Sequence, residues 1–208
     1  GSLSGIAVNL GGGAVGDPHI KPIFGKMYEL PNKVANFRMV EGEDLVINTG
    51  TRYFSESEKD AIKSYYIEQT GDALNANNLV TDGVVQNRVY VQCDGVEFTY
   101  NFDTQQMISN ANVNYTINNR SDGAGIVFHF DSANHGRVNV ECRHYANPQV
   151  FSGVLTNMER NTRECVGLLI RNYNTEAFEV DTLKNKESKQ DIAEDAEEYV
   201  APSTNLVI

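Results

Sequence analysis

Apolar and polar residues alternate along much of this chain in short runs, and turn-forming residues separate the runs. Alternation puts every second side chain on the same side of a strand, so it predicts strands with one buried face. The clearest turn is the Asp-Gly pair at residues 94–95, because such a pair between alternating runs is typical of a tight hairpin. The pattern therefore predicts two hairpins, formed by residues 34–40 with 45–48 and by residues 88–92 with 96–100.

A third hairpin can be predicted down to its register. Phe128 and Phe130 alternate with polar residues in one run, and Val138 and Val140 do so in the next. Both apolar pairs lie on one face if Phe130 stands opposite Val138 and Phe128 opposite Val140. A slip of one residue would set each phenylalanine beside a polar side chain, so the pattern selects this register. Residues 131–137 are then the connecting loop.

Weaker patterns extend the prediction to the rest of the chain. Residues 113–117 alternate between apolar and polar types, and the Asn-Asn pair at residues 118–119 predicts a turn after them. Polar and turn-forming residues predict a loop over residues 70–87. Further short strands are predicted near residues 151–155, 165–170 and 177–180.

Two segments carry helical signals instead. Ser55 followed by Glu58 matches a capping box, and apolar residues then recur at helical spacing, which predicts a short helix over residues 56–67. A strand through residues 65–67 is the competing interpretation, because tyrosine and isoleucine also favour strands. Later in the chain, a single apolar stripe on an acidic background predicts a C-terminal helix over residues 189–200.

Many short strands joined by turns, with one or two short helices added, indicate a mainly β fold of the antiparallel β-sandwich type. Residues 1–15 include three consecutive glycines and have the composition of a linker, and the initial Gly-Ser pair is typical of an expression scar. The remaining residues, 16–208, are predicted to form one domain that includes the C-terminal helix.

The charge and composition of the chain argue against several classes of function. The chain has 208 residues and a formal net charge of −11, so it lacks the basic surface that binds nucleic acid or anionic lipid. No apolar run approaches the ~20 residues that a membrane-spanning helix needs, so no membrane insertion is expected. An odd number of cysteines, Cys93, Cys142 and Cys165, fits one disulfide in a surface protein or none in a reducing compartment.

The residue types that carry catalysis do not form a known pattern in this sequence. Cys142 and His144 lie two apart on one predicted strand, but both belong to its apolar alternation and are expected to be buried and unreactive. His129 falls on the opposite face, and no spacing of histidines or cysteines matches a structural zinc site. The chain also lacks a nucleophile elbow and a phosphate-binding loop. We therefore predict that the protein is not an enzyme.

One stretch near the start is too particular to be an ordinary loop. Gly-Asp-Pro-His at residues 16–19 joins a permissive glycine to a proline that restricts itself and the aspartate before it, which predicts a stiff corner leading into a strand. This stretch, followed by Gly-x-x-Tyr, resembles the opening of von Willebrand factor type D domains, which are non-enzymatic, β-rich modules of secreted and surface proteins. The positions expected to shape this corner are Gly16, Asp17, Pro18, His19, Gly25 and Tyr28.

A second run is similar to the same family. Type D domains carry a Gly-Leu-Cys-Gly-Asn-Tyr-Asn-like run near their end, whose side-chain oxygens help to hold calcium. Residues 167–174 keep its Gly-Leu and Asn-Tyr-Asn parts, without the cysteines and with one residue inserted, so the resemblance spans residues 16–181. It implies calcium as a cofactor, although Phe24 stands where the family has a calcium-binding aspartate. The ligands that the resemblance implies are Asn172, Asn174, Glu176 and Asp181.

The resemblance also implies a function. Type D-like modules are structural or adhesive building blocks, so we expect contacts with other protein subunits of a larger assembly and homo-oligomers among them. Disulfide-poor versions are expected in structural proteins of large DNA viruses, which gives an extracellular, cell-surface or virion location. Two alternatives are self-cleavage between Asp17 and Pro18, in which the carboxylate attacks its own carbonyl, and calcium-dependent binding of carbohydrate or protein. Glycosylation sequons at Asn114 and Asn119 are too common in an asparagine-rich chain to indicate secretion.

Overall fold

The computed structural model confirms a mainly β, antiparallel sandwich with two helices in the part of the chain that it describes. The described residues are 10–15, 19–29, 34, 36–79, 83–146 and 151–171. In chain order the elements are β1 (Leu10–Val15), β2 (His19–Lys21), β3 (Tyr28–Glu29), β4 (Asn36–Gly42), β5 (Leu45–Tyr53), α1 (Glu56–Thr70), α2 (Ala73–Ala76), β6 (Val84–Cys93), β7 (Val96–Asn101), β8 (Met107–Ser109), β9 (Asn114–Arg120), β10 (Gly123–Ser132), β11 (Gly136–Tyr145) and β12 (Ser152–Met158). The strand predicted over 177–180 and the helix predicted over 189–200 lie outside the described residues.

The strands form two sheets whose pairings are antiparallel. The larger sheet has seven strands in the order β3-β2-β1-β12-β11-β10-β9, and the smaller has five in the order β4-β5-β6-β7-β8. Residues 10–15, which were predicted to belong to a linker, form β1 and pair with β12, because extended glycines can join a sheet. The larger sheet therefore joins the first described strand to the last one and leaves β9 at one of its edges.

The two sheets meet in an aromatic cluster. Phe98 on β7 of the smaller sheet contacts Phe128 and Phe130 on β10 of the larger one, with ring centroids 4.5 and 5.6 Å apart. Tyr100 adds a second contact to Phe128 at 5.3 Å. The three phenylalanines are buried, and tilted or edge-on ring pairs of this kind contribute about 0.5–1.5 kcal/mol beyond the area that they bury. This cluster is the centre of the hydrophobic core.

The predicted register of the third hairpin is confirmed. Phe128 pairs with Val140 and Phe130 with Val138, and all four side chains are buried. The pairing continues further than predicted, to Ser132 opposite Gly136, so the connecting turn is shorter than residues 131–137. The burial of one face thus fixes which residues of β10 and β11 stand opposite each other.

The predicted turn at residues 94–95 is also confirmed, and it ties three hairpins together. Asp94 and Gly95 both have positive φ, 47° and 83°, as the central residues of a type I′ hairpin turn require. The Asp94 carboxylate accepts a hydrogen bond from the backbone N–H of Ala133 at 2.7 Å, in the turn between β10 and β11. The Asp94 N–H donates to the carbonyl of Asp44 at 3.0 Å, between β4 and β5. One aspartate therefore links turns from both sheets.

The first predicted helix is confirmed and the competing strand is wrong. Ser55 and Glu58 form the reciprocal capping box, and α1 ends at Gly71, whose φ of 70° closes it in the left-handed conformation. Arg52 on β5 holds the start of α1, with nitrogen–oxygen distances of 2.6 Å to Glu58 and 2.9 Å to Asp103. The ends of the helix are therefore fixed, although α1 buries no residue completely. No helix among the described residues combines the length and apolarity that crossing a membrane requires.

The predicted loop over residues 70–87 is wrong at both ends. After α1, the Asp72 carboxylate accepts a hydrogen bond from the N–H of Asn75 at 3.0 Å and begins the short helix α2. Strand β6 begins at Val84 rather than at residue 88, because Val84 and Val85 are buried in the sandwich. The polar residues around α2 carry no apolar periodicity that would predict a helix. The two valines at the start of β6 are too few to predict a strand.

Two further local predictions are wrong. The turn predicted at residues 118–119 is absent from this described stretch, because β9 runs through both asparagines and the chain turns at residues 121–122. Asparagine is tolerated there since its side chains are exposed on an edge strand. The strand predicted near residues 165–170 is a single bridge at Val166 followed by a turn, because Gly167 has a φ of 128° and breaks the extended backbone.

Removal of the central ring should test the role of the aromatic cluster. We expect Phe128→Ala to lower the free energy of unfolding by about 3–5 kcal/mol, since it leaves a cavity between the two sheets. Tyr53→Ala is the matched control, because Tyr53 is 66% exposed, and we expect a change within about 0.5 kcal/mol. Urea unfolding followed by circular dichroism measures both. Equal losses for the two variants would contradict this placement of the core.

Candidate functional site

The first residues of the predicted corner, Gly16, Asp17 and Pro18, lie outside the described residues, and His19 begins β2. The His19 side chain is exposed, and its Nδ1 lies 3.0 Å from a carboxylate oxygen of Glu29, which is its direct partner on β3. An exposed pair of this kind contributes little to stability, at most about 1 kcal/mol. His19 therefore supports a small hairpin and faces solvent.

Gly25 and Tyr28 complete the corner motif. Gly25 has a φ of 98°, a backbone conformation that side chains with a Cβ rarely adopt. Tyr28 is buried, and its hydroxyl donates a hydrogen bond to the backbone carbonyl of Leu168. The contact joins two segments that are 140 residues apart. Residues 19–29, which we call the opening segment, are thus fixed by a residue of the second family-like run.

The two family-like runs meet along a short stretch of backbone. Ile23 and Phe24 donate hydrogen bonds to the carbonyls of Leu169 and Ile170, at 2.8 and 2.9 Å. On the other side of the same stretch, the N–H of Leu169 donates to the carbonyl of Met39 on β4 at 2.9 Å. Residues 166–171, which we call the closing segment, therefore lie between the opening segment and β4.

The closing segment packs into the core of the sandwich. Leu168, Leu169 and Ile170 are completely buried and belong to the same core as the aromatic cluster. Gly167 approaches β4 so closely that a Cβ would lie 2.3 Å from the carbonyl oxygen of Met39. Only glycine fits there, because both its φ and this approach exclude a side chain. The Gly-Leu part of the run therefore serves packing.

Phe24, at the position of the family's calcium-binding aspartate, lies beside two cations. The guanidinium groups of Arg163 and Arg171 lie 4.5 and 5.4 Å from the centre of its ring. Such cation–π contacts stabilise the ring in this place, and two positive charges oppose a bound cation. A calcium site at this position would lose an anionic ligand and gain two neighbouring positive charges.

The four residues that the resemblance implies as calcium ligands, Asn172, Asn174, Glu176 and Asp181, lie outside the described residues. Within the described part of the chain, no three histidine, cysteine, aspartate or glutamate side chains are grouped so that they could hold a metal ion. The calcium site therefore stays a prediction from the sequence.

Three histidines outside the corner form hydrogen bonds within the sandwich. His144 Nε2 lies 2.8 Å from the hydroxyl of Tyr100, and burial lowers the pKa of this imidazole. His129, on the outer face as predicted, lies 2.6 Å from Asn139 and 3.1 Å from Thr116. His135 is completely buried, with its Nδ1 3.2 Å from the carbonyl of Arg160. Each imidazole thus has a structural partner.

The three thiols are free and buried. Burial raises the pKa of Cys93 and of Cys165 to about 12, and it raises the pKa of Cys142 well above its ordinary value. The thiolate is the reactive form of cysteine, so these residues are unreactive at neutral pH. The expectation that Cys142 and His144 would be inert is consistent with this burial.

Sequence reasoning missed one thiol–imidazole contact. The sulfur of Cys165 lies 3.9 Å from both ring nitrogens of His135, although the residues are 30 positions apart in the chain. No local signal could reveal this pair, because it depends on the turn after β10 meeting the end of β12. Both side chains are buried, so the pair fills space beneath Gly42 and does not face a substrate.

A pocket of about 180 Å³ opens beside the β6–β7 hairpin, lined by Cys93, Val96, Asn112, Val113, Asn114, His129, Phe130 and Asp131. It is smaller than the ~300–1,000 Å³ of most ligand sites. Its ionisable groups are already engaged, because Asp131 pairs with Arg137 at 3.0 Å and His129 with Asn139. The pocket is therefore poorly suited to binding a ligand.

Comparison with known proteins does not assign this chain to a family. A scan against protein-family models found no match, and a search of curated proteins found none similar enough to match. The likeness to type D domains therefore rests on the two short runs, at residues 16–28 and 167–174.

The buried thiols predict how stability depends on pH. In the unfolded chain a thiol ionises near pH 9, whereas in the folded chain Cys93, Cys142 and Cys165 keep their protons to higher pH. The contribution of each thiol to stability is therefore fully present below pH 9 and is lost as the pH rises above 9, by about 1.4 kcal/mol per pH unit. For Cys93 and Cys165 this loss continues to about pH 12. Urea unfolding from about pH 8 to about pH 11 measures the slope.

Cys142→Ala provides the control for this effect. The variant should be less stable at neutral pH, yet its stability should fall less steeply above pH 9 because one buried thiol is missing. A slope that is the same in both proteins would show that other groups, such as Tyr100, cause the alkaline loss.

Calcium should leave the stability of the chain unchanged. Because two arginines lie beside Phe24, we expect the same melting temperature with excess calcium and with a chelator. Differential scanning fluorimetry measures this, with magnesium as the control for a general effect of divalent ions. A rise that calcium causes and magnesium does not would support a site formed by Asn172, Asn174, Glu176 and Asp181.

Proposed function

We propose that this chain is a non-catalytic structural module that contributes protein–protein contacts to a larger extracellular or virion-surface assembly. The observation that carries the proposal is the placement of the reactive side chains. The thiols of Cys93, Cys142 and Cys165 are buried and neutral, His135 is buried, and the half-buried His144 is bonded to Tyr100. Groups that an enzyme would expose to a substrate are here part of the packing.

The contact between the two family-like runs supports the same proposal. Tyr28, Ile23 and Phe24 of the opening segment form hydrogen bonds with the closing segment. The buried side chains of the closing segment belong to the core. Among the described residues of the two runs, Tyr28, Gly167 and Leu168 thus contribute to the packing of the sandwich. Such a module suits a structural subunit, because the function of a structural subunit depends on its shape and stability.

The structural role is favoured over both alternatives. Calcium-dependent binding is disfavoured by the arginines around Phe24. Self-cleavage between Asp17 and Pro18 would need a strained corner, and His19, the described corner residue nearest to this bond, lies in an exposed pair with Glu29. Within the part of the chain that the structure describes, no contact specifically supports either alternative.

The proposal can be tested in the source organism with a tagged chain. We expect the chain to stay with a large assembly through washes with detergent and high salt, and cross-linking mass spectrometry should connect it to structural proteins. The recovered chain should keep its intact mass. A fragment that begins at Pro18 would favour self-cleavage, and a freely diffusing chain without stable protein neighbours would overturn the structural role.

A further inference from the structure

Among the described residues, strand β9 forms an open edge of the larger sheet. Six of its seven side chains are exposed, and Tyr115 and Ile117 keep 50% and 57% of their surface accessible. Proteins normally protect such an edge with charged residues, proline or a bulge. Residues 114–119 contain no charged residue and no proline, and their pairing with β10 runs without a register shift. This edge is therefore ready to pair with another strand.

The apolar side of β9 continues the core. Tyr115 stands opposite Phe128 and Ile117 opposite Ile126, so both exposed side chains lie on the inner face of the larger sheet. The ring of Tyr115 lies 6.2 Å from that of Phe128. A strand added beside β9 would cover two side chains that the fold leaves half exposed at the end of an apolar row.

We propose that β9 pairs in antiparallel fashion with β9 of a second copy of this chain, with Thr116 on the two-fold axis. The inference deepens the proposed function and rests on it, because it names one partner of the structural module. In this register Tyr115 of each copy stands opposite Ile117 of the other, and Thr116 stands opposite its own equivalent. Pairs between an aromatic and a β-branched residue stabilise antiparallel strands, and such pairing adds main-chain hydrogen bonds.

The second copy fits this edge for reasons of charge and symmetry. Each chain carries a net charge of −11, so two copies must meet where they are neutral, and residues 114–119 supply such a stretch. Arg120 lies beyond the paired residues and already forms an ion pair with Asp122 at 2.9 Å. A two-fold axis perpendicular to the sheet keeps both inner faces on the same side, so the Tyr115 and Ile117 side chains of both copies meet beneath it.

The alternative register with Ile117 on the axis is less favourable. It would place Tyr115 opposite Asn119 and would lose both pairs between an aromatic and a β-branched residue. The register centred on Thr116 is the one in which the apolar residues of this strand complement each other, and the experiments below distinguish the two.

Charge introduced into the edge should separate the copies. Sedimentation velocity of the full chain, produced in bacteria so that Asn114 stays unglycosylated, should show a dimer that forms with rising concentration. Ile117→Lys should weaken this dimer by about tenfold or more, because it places a charge in the apolar pairing. Leu74→Lys is the matched control, since Leu74 is 85% exposed on α2, and it should leave the dimer unchanged. Unchanged melting curves show that both variants fold.

Disulfide trapping tests the register. The native cysteines are buried, so a single introduced cysteine provides the accessible thiol. Thr116→Cys should form a covalent dimer on mild oxidation, because residues that face their own equivalents across paired strands come within the ~4.4–6.8 Å between Cα atoms that a disulfide needs. Asn118→Cys, on the same face of β9, should stay monomeric on a reducing-agent-free gel.

The outcomes separate this inference from the proposed function. A chain that is monomeric at all concentrations, or one that cross-links equally at positions 116 and 118, overturns the pairing of β9. The structural role would survive that result if the tagged chain still stayed with its assembly. Loss of the chain from any assembly, with the β9 dimer intact in solution, would instead overturn the structural role alone.

Discussion

The packing of Phe98 against Phe128 and Phe130 is the contact on which the rest of this fold depends, because it joins two sheets that share no strand. It also explains why the register of β10 and β11 is unique, since a slip would turn both phenylalanines away from the other sheet. Asp94 adds a polar link at the turns, where it bonds to both Ala133 and Asp44. Apolar packing in the aromatic cluster and hydrogen bonds at the turns together fix the position of one sheet relative to the other.

The closing segment shows how the two ends of the resemblance become one structural feature. Its buried side chains pack in the core, and its backbone forms hydrogen bonds to the opening segment on one side and to β4 on the other. Gly167 permits the close approach to β4, and the Tyr28 hydroxyl bonds to Leu168. These described residues of the two runs contribute to the shape and stability of the fold. Their contacts support the structural role that we propose.

The sequence predicted what depends on neighbouring residues. The pairing of Phe128 with Val140 follows from alternation, and the start of α1 follows from Ser55 and Glu58, because both signals are local. It could not predict contacts between distant segments. The pair of His135 and Cys165 and the hydrogen bonds of the closing segment depend on how the ends of strands meet in space. The candidate calcium ligands had support from resemblance alone, and the arginines beside Phe24 are a tertiary feature that no short motif contains.

Helix α1 has a consequence for how the molecule tolerates change. The helix leaves the smaller sheet after β5 and returns at β6, it buries no residue completely, and the pair of Arg52 with Glu58 holds its first turn. Local unfolding of this excursion therefore exposes little apolar surface and leaves the sandwich folded. This segment can therefore be lengthened, shortened or replaced at small energetic cost. The same sandwich could in this way carry different surface segments.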